Sequence, residues 1–336
     1  MTARDPRTLA DELVESGRLL EAIEALTIAN RARRDPGIEV RLVELRLAAV
    51  AHLGPSSGPR RWPPKTKDRF RGAANPPEIT PGELTPDALR SGIFRHGCIL
   101  VRGLASQPRV EGLIDNIEHA IAAHDAHAQG TPLAEVTPWF VPFDPGPGHI
   151  IPRQWGRAGG GVLAVDSPPV LFDVIEAFEE IGIGDLVNGF LGEPPVMLAQ
   201  KWTLRRAREE ESYPVWHQDG AFMGRDIRSV DIWLSLSHCG VDAPGLDLVS
   251  RRLDQIVAVG TEDARFDWCV ADSVAEEVAR GEVASPVFAP GDALMFDHML
   301  LHRTALRPEM TRDRYAIEAW FASPSNYPDD QIAIAY

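Results

Sequence analysis

The stretch from Tyr213 to Phe222, YPVWHQDGAF, places an imidazole (His217) and a carboxylate (Asp219) two positions apart. In an extended chain, residues i and i+2 point to one face, so both groups would converge from a single short segment. That is half of a site for a divalent metal. A second imidazole from a distant strand would complete two histidines and one carboxylate on one side of the ion, leaving positions open for substrate and oxygen. Candidates lie in GDALMFDHMLLHRTALRPEMTRDRYAIEAWF, where His298 and His302 are four apart. Such a pair on a helix would suggest a metalloprotease, but Met299 stands where the catalytic glutamate belongs, and the preceding ALMF is strand-like. His119, His124 and His127 share a predicted helix without a third ligand on a common face, and are expected at the surface.

The elements that must position these groups follow from periodicity. MLAQKWTLRR (Met197 to Arg206), SVDIWLSLSH (Ser229 to His238), GDALMFD and RYAIEAWFA (Arg314 to Ala322) are short runs separated by Gly, Pro and charge clusters. They predict an antiparallel barrel or sandwich with helices packed outside it. Helices are expected over about Leu84 to Ser91, Gln107 to His127 and Pro168 to Leu191, with Asp166 and Ser167 as caps for the last. The long Pro- and Gly-rich segment between the latter two is expected to wall a substrate pocket with Trp139, Phe140, Phe143 and Trp155, joined by Phe222. Arg205, Arg206 and Arg208, followed by Glu209, Glu210 and Glu211, read as a solvated loop.

Residues 1–54 form a helical extension. Its middle, Gly17 to Pro36, resembles half of a tetratricopeptide repeat; one copy cannot bury its own faces, so it is expected to cap a larger domain, although a protein contact through these helices stays open. Residues 55–86 make a Pro/Gly-rich basic linker. The main domain is expected over 87–336.

Composition narrows the function. The balance of 34 Lys+Arg against 49 Asp+Glu gives a net charge of −15, which disfavours nucleic acid and anionic membranes and favours a small-molecule substrate. Cys98, Cys239 and Cys269 lack metal or disulfide spacing, and with no signal-like or membrane-spanning apolar run the expected location is cytoplasmic.

WHQDG (Trp216 to Gly220), the Gly291-Asp292-x-x-x-Phe296 run leading to LLHRT (Leu300 to Thr304), and RYAIEAWF (Arg314 to Phe321) resemble, in order, the phytanoyl-CoA dioxygenase-like family of Fe(II)- and 2-oxoglutarate-dependent oxygenases. The likeness runs from about Gly92 to Tyr336, and its specific motifs begin at Lys201. It implies an α+β fold, a double-stranded β-helix (jelly-roll, cupin-like) barrel with flanking helices. It also implies iron ligands His217, Asp219 and His302, and Arg314 on the distal carboxylate of 2-oxoglutarate, with Arg312 as rival. Thr304 would stand beside that carboxylate, Lys201 on the strand before the histidine motif, and Trp233 as an indole wall. Fe(II), 2-oxoglutarate and O2 would then oxidise an unactivated C–H bond, releasing succinate and CO2. Asp219 favours hydroxylation or another oxidation over halogenation, since related halogenases replace this carboxylate. A non-redox metal enzyme of the same barrel, or an inactive barrel serving as an interaction protein, are the alternatives.

Overall fold

The computed structural model describes residues 5–53, 61–208, 214–261 and 263–336. Tyr213, residues 55–60 of the expected linker and the acids Glu209, Glu210 and Glu211 lie outside the described residues. The strands are β1 (Glu78–Ile79), β2 (Cys98–Val101), β3 (Gly161–Leu163), β4 (Val196–Ala207), β5 (Ser229–Ser235), β6 (Gly245–Val249), β7 (Val283–Ala284), β8 (Ala293–Phe296), β9 (His302–Ala305), β10 (Arg314–Ala322) and β11 (Ala333–Ala335). A major sheet runs β1-β2-β8-β5-β10-β4-β11, and a minor sheet runs β7-β6-β9. His217 adds to the minor sheet by bridging antiparallel to His302. From β4 onward the chain therefore alternates between sheets: β4 major, His217 minor, β5 major, β6 and β7 minor, β8 major, β9 minor, β10 major. That alternation defines the double-stranded β-helix, or jelly roll.

Each central strand of the major sheet is buried on both faces and separates its chemistry by parity. In β5, Val230, Ile232 and Leu234 join the core beneath the helices, whereas Asp231 and Trp233 point into a cavity between the sheets. In β10, Ile317, Ala319 and Phe321 take the helix side, and Arg314, Glu318 and Trp320 the cavity side. In β4, Trp202 and Leu204 turn outward, and Lys201, Thr203 and Arg205 turn in.

The helices are α1 (Pro6–Glu15), α2 (Leu19–Ala32), α3 (Pro36–Ala49), α4 (Pro86–Ser91), α5 (Gln107–Ala128), α6 (Leu133–Val136), α7 (Arg153–Ala158), α8 (Pro168–Glu180), α9 (Ile183–Leu191), α10 (Gly220–Met223) and α11 (Asp272–Ala279). Asp5 and Asp35 cap α1 and α3 through their side chains, each followed by a proline in the first turn where no N–H is needed. α3 packs on β11 and α8, and Arg34 ties this end to Asp173 and Glu176 of α8. None of the described helices is long and apolar enough to cross a membrane.

Four expectations change. The helix expected from Pro168 to Leu191 is two, because Gly182 takes a φ of 75° and breaks the run between α8 and α9. Asp166 does not cap α8; its carboxylate receives Phe143 N–H at 2.7 Å and Arg153 at 2.7 and 2.8 Å, which pins the segment before α7. Arg205 and Arg206 are not in a solvated loop but continue β4, since the sheet supplies partners for both faces. Of the three α5 histidines only His119 is exposed; His124 and His127 are half-buried against Phe140.

Gly291 precedes β8 with a φ of 89°, and a Cβ there would lie 2.3 Å from the Ala105 carbonyl oxygen. Gly291→Ala is expected to cost roughly 2 kcal/mol or more, read as a lowered denaturation midpoint with unchanged slope.

Candidate functional site

The site begins with a pair of backbone hydrogen bonds. His217 N–H donates to His302 O at 2.9 Å and His302 N–H donates to His217 O at 3.0 Å, so the two histidines oppose each other across the minor sheet. Side chains of such a pair share one face; the two imidazole centroids lie 4.3 Å apart. Each ring is then oriented by its own chain: Nδ1 of His217 meets Val215 O at 3.0 Å, and Nδ1 of His302 meets Leu300 O at 3.1 Å. A carbonyl only accepts, so Nδ1 carries a proton in both rings and each Nε2 is left as the atom that could bind a metal.

Asp219 arrives differently from the sequence expectation. The strand does not continue through it: Asp219 has helical angles (φ −59°, ψ −28°) and starts α10. The following Gly220 explains the motif's last letter. Its N–H donates to His298 O at 2.8 Å, and a Cβ there would meet Ile256 Cδ1 at 2.7 Å and His298 at 3.0 Å. This tight turn swings Asp219 back so that its Oδ2 lies 3.9 Å from His302 Nε2. One donor atom from each of His217, Asp219 and His302 lies within 4.8 Å of the others, a spacing that could hold a divalent ion.

The charge environment suits that role. Burial would raise the Asp219 carboxyl, but Lys201, His217 and His302 outweigh it and hold it well below the usual carboxylate range. Burial, with help from His302, pulls His217 down to about 4, so its ring stays neutral at pH 7. Lys201 Nζ donates to Asp219 Oδ1 at 2.8 Å and sits 4.4 Å above the Phe222 ring. One carboxylate oxygen is thus covered and the other faces the histidines.

His298 takes no part. Its Nδ1 lies 2.9 Å from Ser229 Oγ and its Nε2 2.9 Å from Arg225 O, so both ring nitrogens are engaged in the core.

The three groups open into a cavity of about 400 Å3. Arg314 lies in its wall, 3% exposed, over Trp233 at 5.5 Å. Its NH1 donates to Gly245 O at 3.2 Å; its Nε has no partner, and no carboxylate among the described residues pairs with it. Burial pulls this guanidinium below its ordinary value. Arg312, by contrast, has a side chain 73% exposed and paired with Asp242 at 3.2 Å. Thr304 and Trp233 line the same cavity.

Of the expected aromatic wall, only Trp155 and Phe222 line this cavity. Phe140 and Phe143 are buried elsewhere, and Trp139 stacks on His119. Trp268, Phe296 and Trp320 take their places. Three charged residues were missed by the sequence reading: Asp231, Glu318 and, as a cavity residue, Arg205. For Asp231 and Glu318 the signal was strand parity, since each stands at an inward position between apolar outward ones; Arg205, next to Arg206, gave no such signal.

The fold and site together define a double-stranded β-helix with a His-x-Asp and distal-His group at its mouth. No protein-family model and no curated protein matches the chain. Solved structures do. AviO1 from Streptomyces viridochromogenes Tue57 is 18% identical, TM-score 0.45, over 73% of this chain and 98% of its own. EctD from S. alaskensis is 16% identical, TM-score 0.48, over 81% and 89%. SnoK, described as a non-heme alpha ketoglutarate dependent carbocyclase from nogalamycin biosynthesis, is 12% identical, TM-score 0.48, over 73% and 87%.

Lys201 lowers the proton affinity of both Asp219 and His217. In the metal-free protein, Lys201→Met should therefore raise the pH at which Asp219 takes up a proton. Carboxyl NMR across an acid titration checks this; an unshifted Asp219 titration would leave Lys201 without influence on the site.

Proposed function

We propose that this chain is an oxygenase that uses Fe(II), 2-oxoglutarate and O2 to oxidise an unactivated C–H bond of a small organic substrate, with release of succinate and CO2. The observation that carries this reading is Arg314: a buried guanidinium, without a carboxylate partner among the described residues, in one cavity with a His/Asp/His group. A charge buried unpaired is costly, so the fold retains it where a ligand supplies the counter-charge. A dicarboxylate that chelates a metal at one end and meets arginine at the other fits that arrangement.

In this reading His217, Asp219 and His302 hold the iron, and the residues present fit a ferrous ion through two imidazoles and one carboxylate. When bound, iron and 2-oxoglutarate supply the oxidising chemistry. The chain supplies placement. Val215 and Leu300 carbonyls engage both Nδ1 atoms and so leave both Nε2 atoms for the metal. Lys201 covers one Asp219 oxygen and so favours attachment through the other. Arg314, with Thr304 beside it in the cavity wall, receives the distal carboxylate. Trp155, Phe222 and Trp268 screen the entrance from water. A non-redox metal enzyme would have no use for Arg314.

Anaerobic addition of Fe(II) and then 2-oxoglutarate should produce the weak visible charge-transfer band of a chelated complex. His302→Ala should abolish it. Arg314→Met should raise the 2-oxoglutarate concentration for half-saturation by about 100-fold. Metal-bound protein with no band, or half-saturation unmoved in Arg314→Met, would sink the reading.

A further inference from the structure

The remaining wall of the cavity narrows the substrate. It carries two cations besides Arg314, and both are occupied. Lys201 is on Asp219 at 2.8 Å, and Arg205 holds Glu318 at 2.5 and 3.1 Å and Gly159 O at 2.8 Å. Among the described residues that line the cavity, an anionic substrate group therefore finds no unpaired cation besides Arg314, and would have to compete with Asp219 and Glu318 for the other two.

Asp231 is the unexplained member. It is 1% exposed, lines the cavity, and receives one hydrogen bond, from Ala319 N–H at 3.0 Å. A carboxyl group has room for several more. Burial, then Glu318 and Asp219, push its affinity for a proton well above the ordinary range. An ammonium group at Asp231 would share the cavity with Lys201, a like charge. Gln331 lines the same cavity, and its Oε1 has no partner. A purely apolar substrate would leave both residues unsatisfied.

A hydroxyl group both donates and accepts, which answers Asp231 and Gln331 together. The entrance offers apolar ring surface: Trp155 is 53% and Phe222 38% exposed, and Trp268, stacked on Phe266 by one face, lies edge-on to both at 6.3 Å between ring centres. Such surface suits the C–H side of a saturated ring. The geometry points to an uncharged, hydroxyl-rich substrate of polyol or glycoside type, bound with its hydroxyls on Asp231 and Gln331 and its C–H face on the entrance indoles. Asp231 is then a specificity-determining residue. This rests on the oxygenase reading to the extent that Arg314 is reserved for the co-substrate.

The test compares one ring in three charge states: methyl α-D-glucopyranoside, glucosamine and glucose 6-phosphate. Binding to protein loaded with Zn(II) and 2-oxoglutarate is followed by saturation-transfer NMR. The neutral glycoside is expected to bind at least about fivefold more tightly than either charged sugar. Asp231→Leu should weaken it about tenfold, and Asp231→Asn, which still donates and accepts, by less than about threefold. Thermal melts identify any variant that fails to fold, in which case the Asn variant and the charge series decide. Tighter binding of the phosphate or the ammonium sugar overturns the inference. So does unchanged binding in a folded Leu variant, or no saturation of the glycoside by about 50 mM. The anaerobic iron band separates the two readings: a protein with the band that ignores the glycoside loses only the substrate class, and one that binds it without the band loses the co-substrate.

Discussion

Two backbone hydrogen bonds between His217 and His302 hold the rest of the site in place. They join residues 85 positions apart (302 − 217) into one antiparallel pair, and the geometry of that pair sets both imidazoles on one face. Everything nearby refines this arrangement. The Val215 and Leu300 carbonyls choose the ring tautomer, and Gly220 lets the chain turn closely enough beneath His298 to bring Asp219 round. His298 is itself part of the scaffold, locked by Ser229 and the Arg225 carbonyl, so the turn rests on a rigid base.

The second constraint is the division of labour across the major sheet. Its outer face is apolar and packs on α5, α8 and α9 within one continuous core. Its inner face carries charges a hydrophobic core would reject, and these mostly neutralise one another: Lys201 with Asp219, Arg205 with Glu318. Such pairs add little net stability because desolvation offsets their attraction, so their worth lies in fixing orientation. Against that background the two members left incomplete, Arg314 and Asp231, stand out as places where a ligand is expected.

The segment before α7 supplies what the barrel lacks. Asp166 and Arg153 pin its end, the start of α7, to the body, and α7 carries Trp155, 53% exposed, to the cavity entrance. An apolar group held this far into solvent by a rigid anchor is poised to meet a substrate rather than to support the core.

Much was legible in the residues alone. The strand runs of β4, β5, β8 and β10 were visible because their boundaries are marked by Gly, Pro and charge; the spacing of His217 and Asp219 was visible too, whereas His302 and Arg314 were singled out by the resemblance of their motifs to a known family. What spacing could not decide was which of two near neighbours faces inward. His298 and His302, or Arg312 and Arg314, differ only in where the chain turns and which strand it joins, and both depend on partners far away in sequence. Asp231, Glu318 and Arg205 were hidden for the same reason: a charged residue in a short run is indistinguishable from a solvated one until helices are known to bury the other face. The sequence by itself determined which residue types were present for such a site, because few of them can hold a metal or a carboxylate. Only the tertiary structure decided the arrangement, because burial and hydrogen-bond partnership are properties of contacts between segments that no local pattern contains.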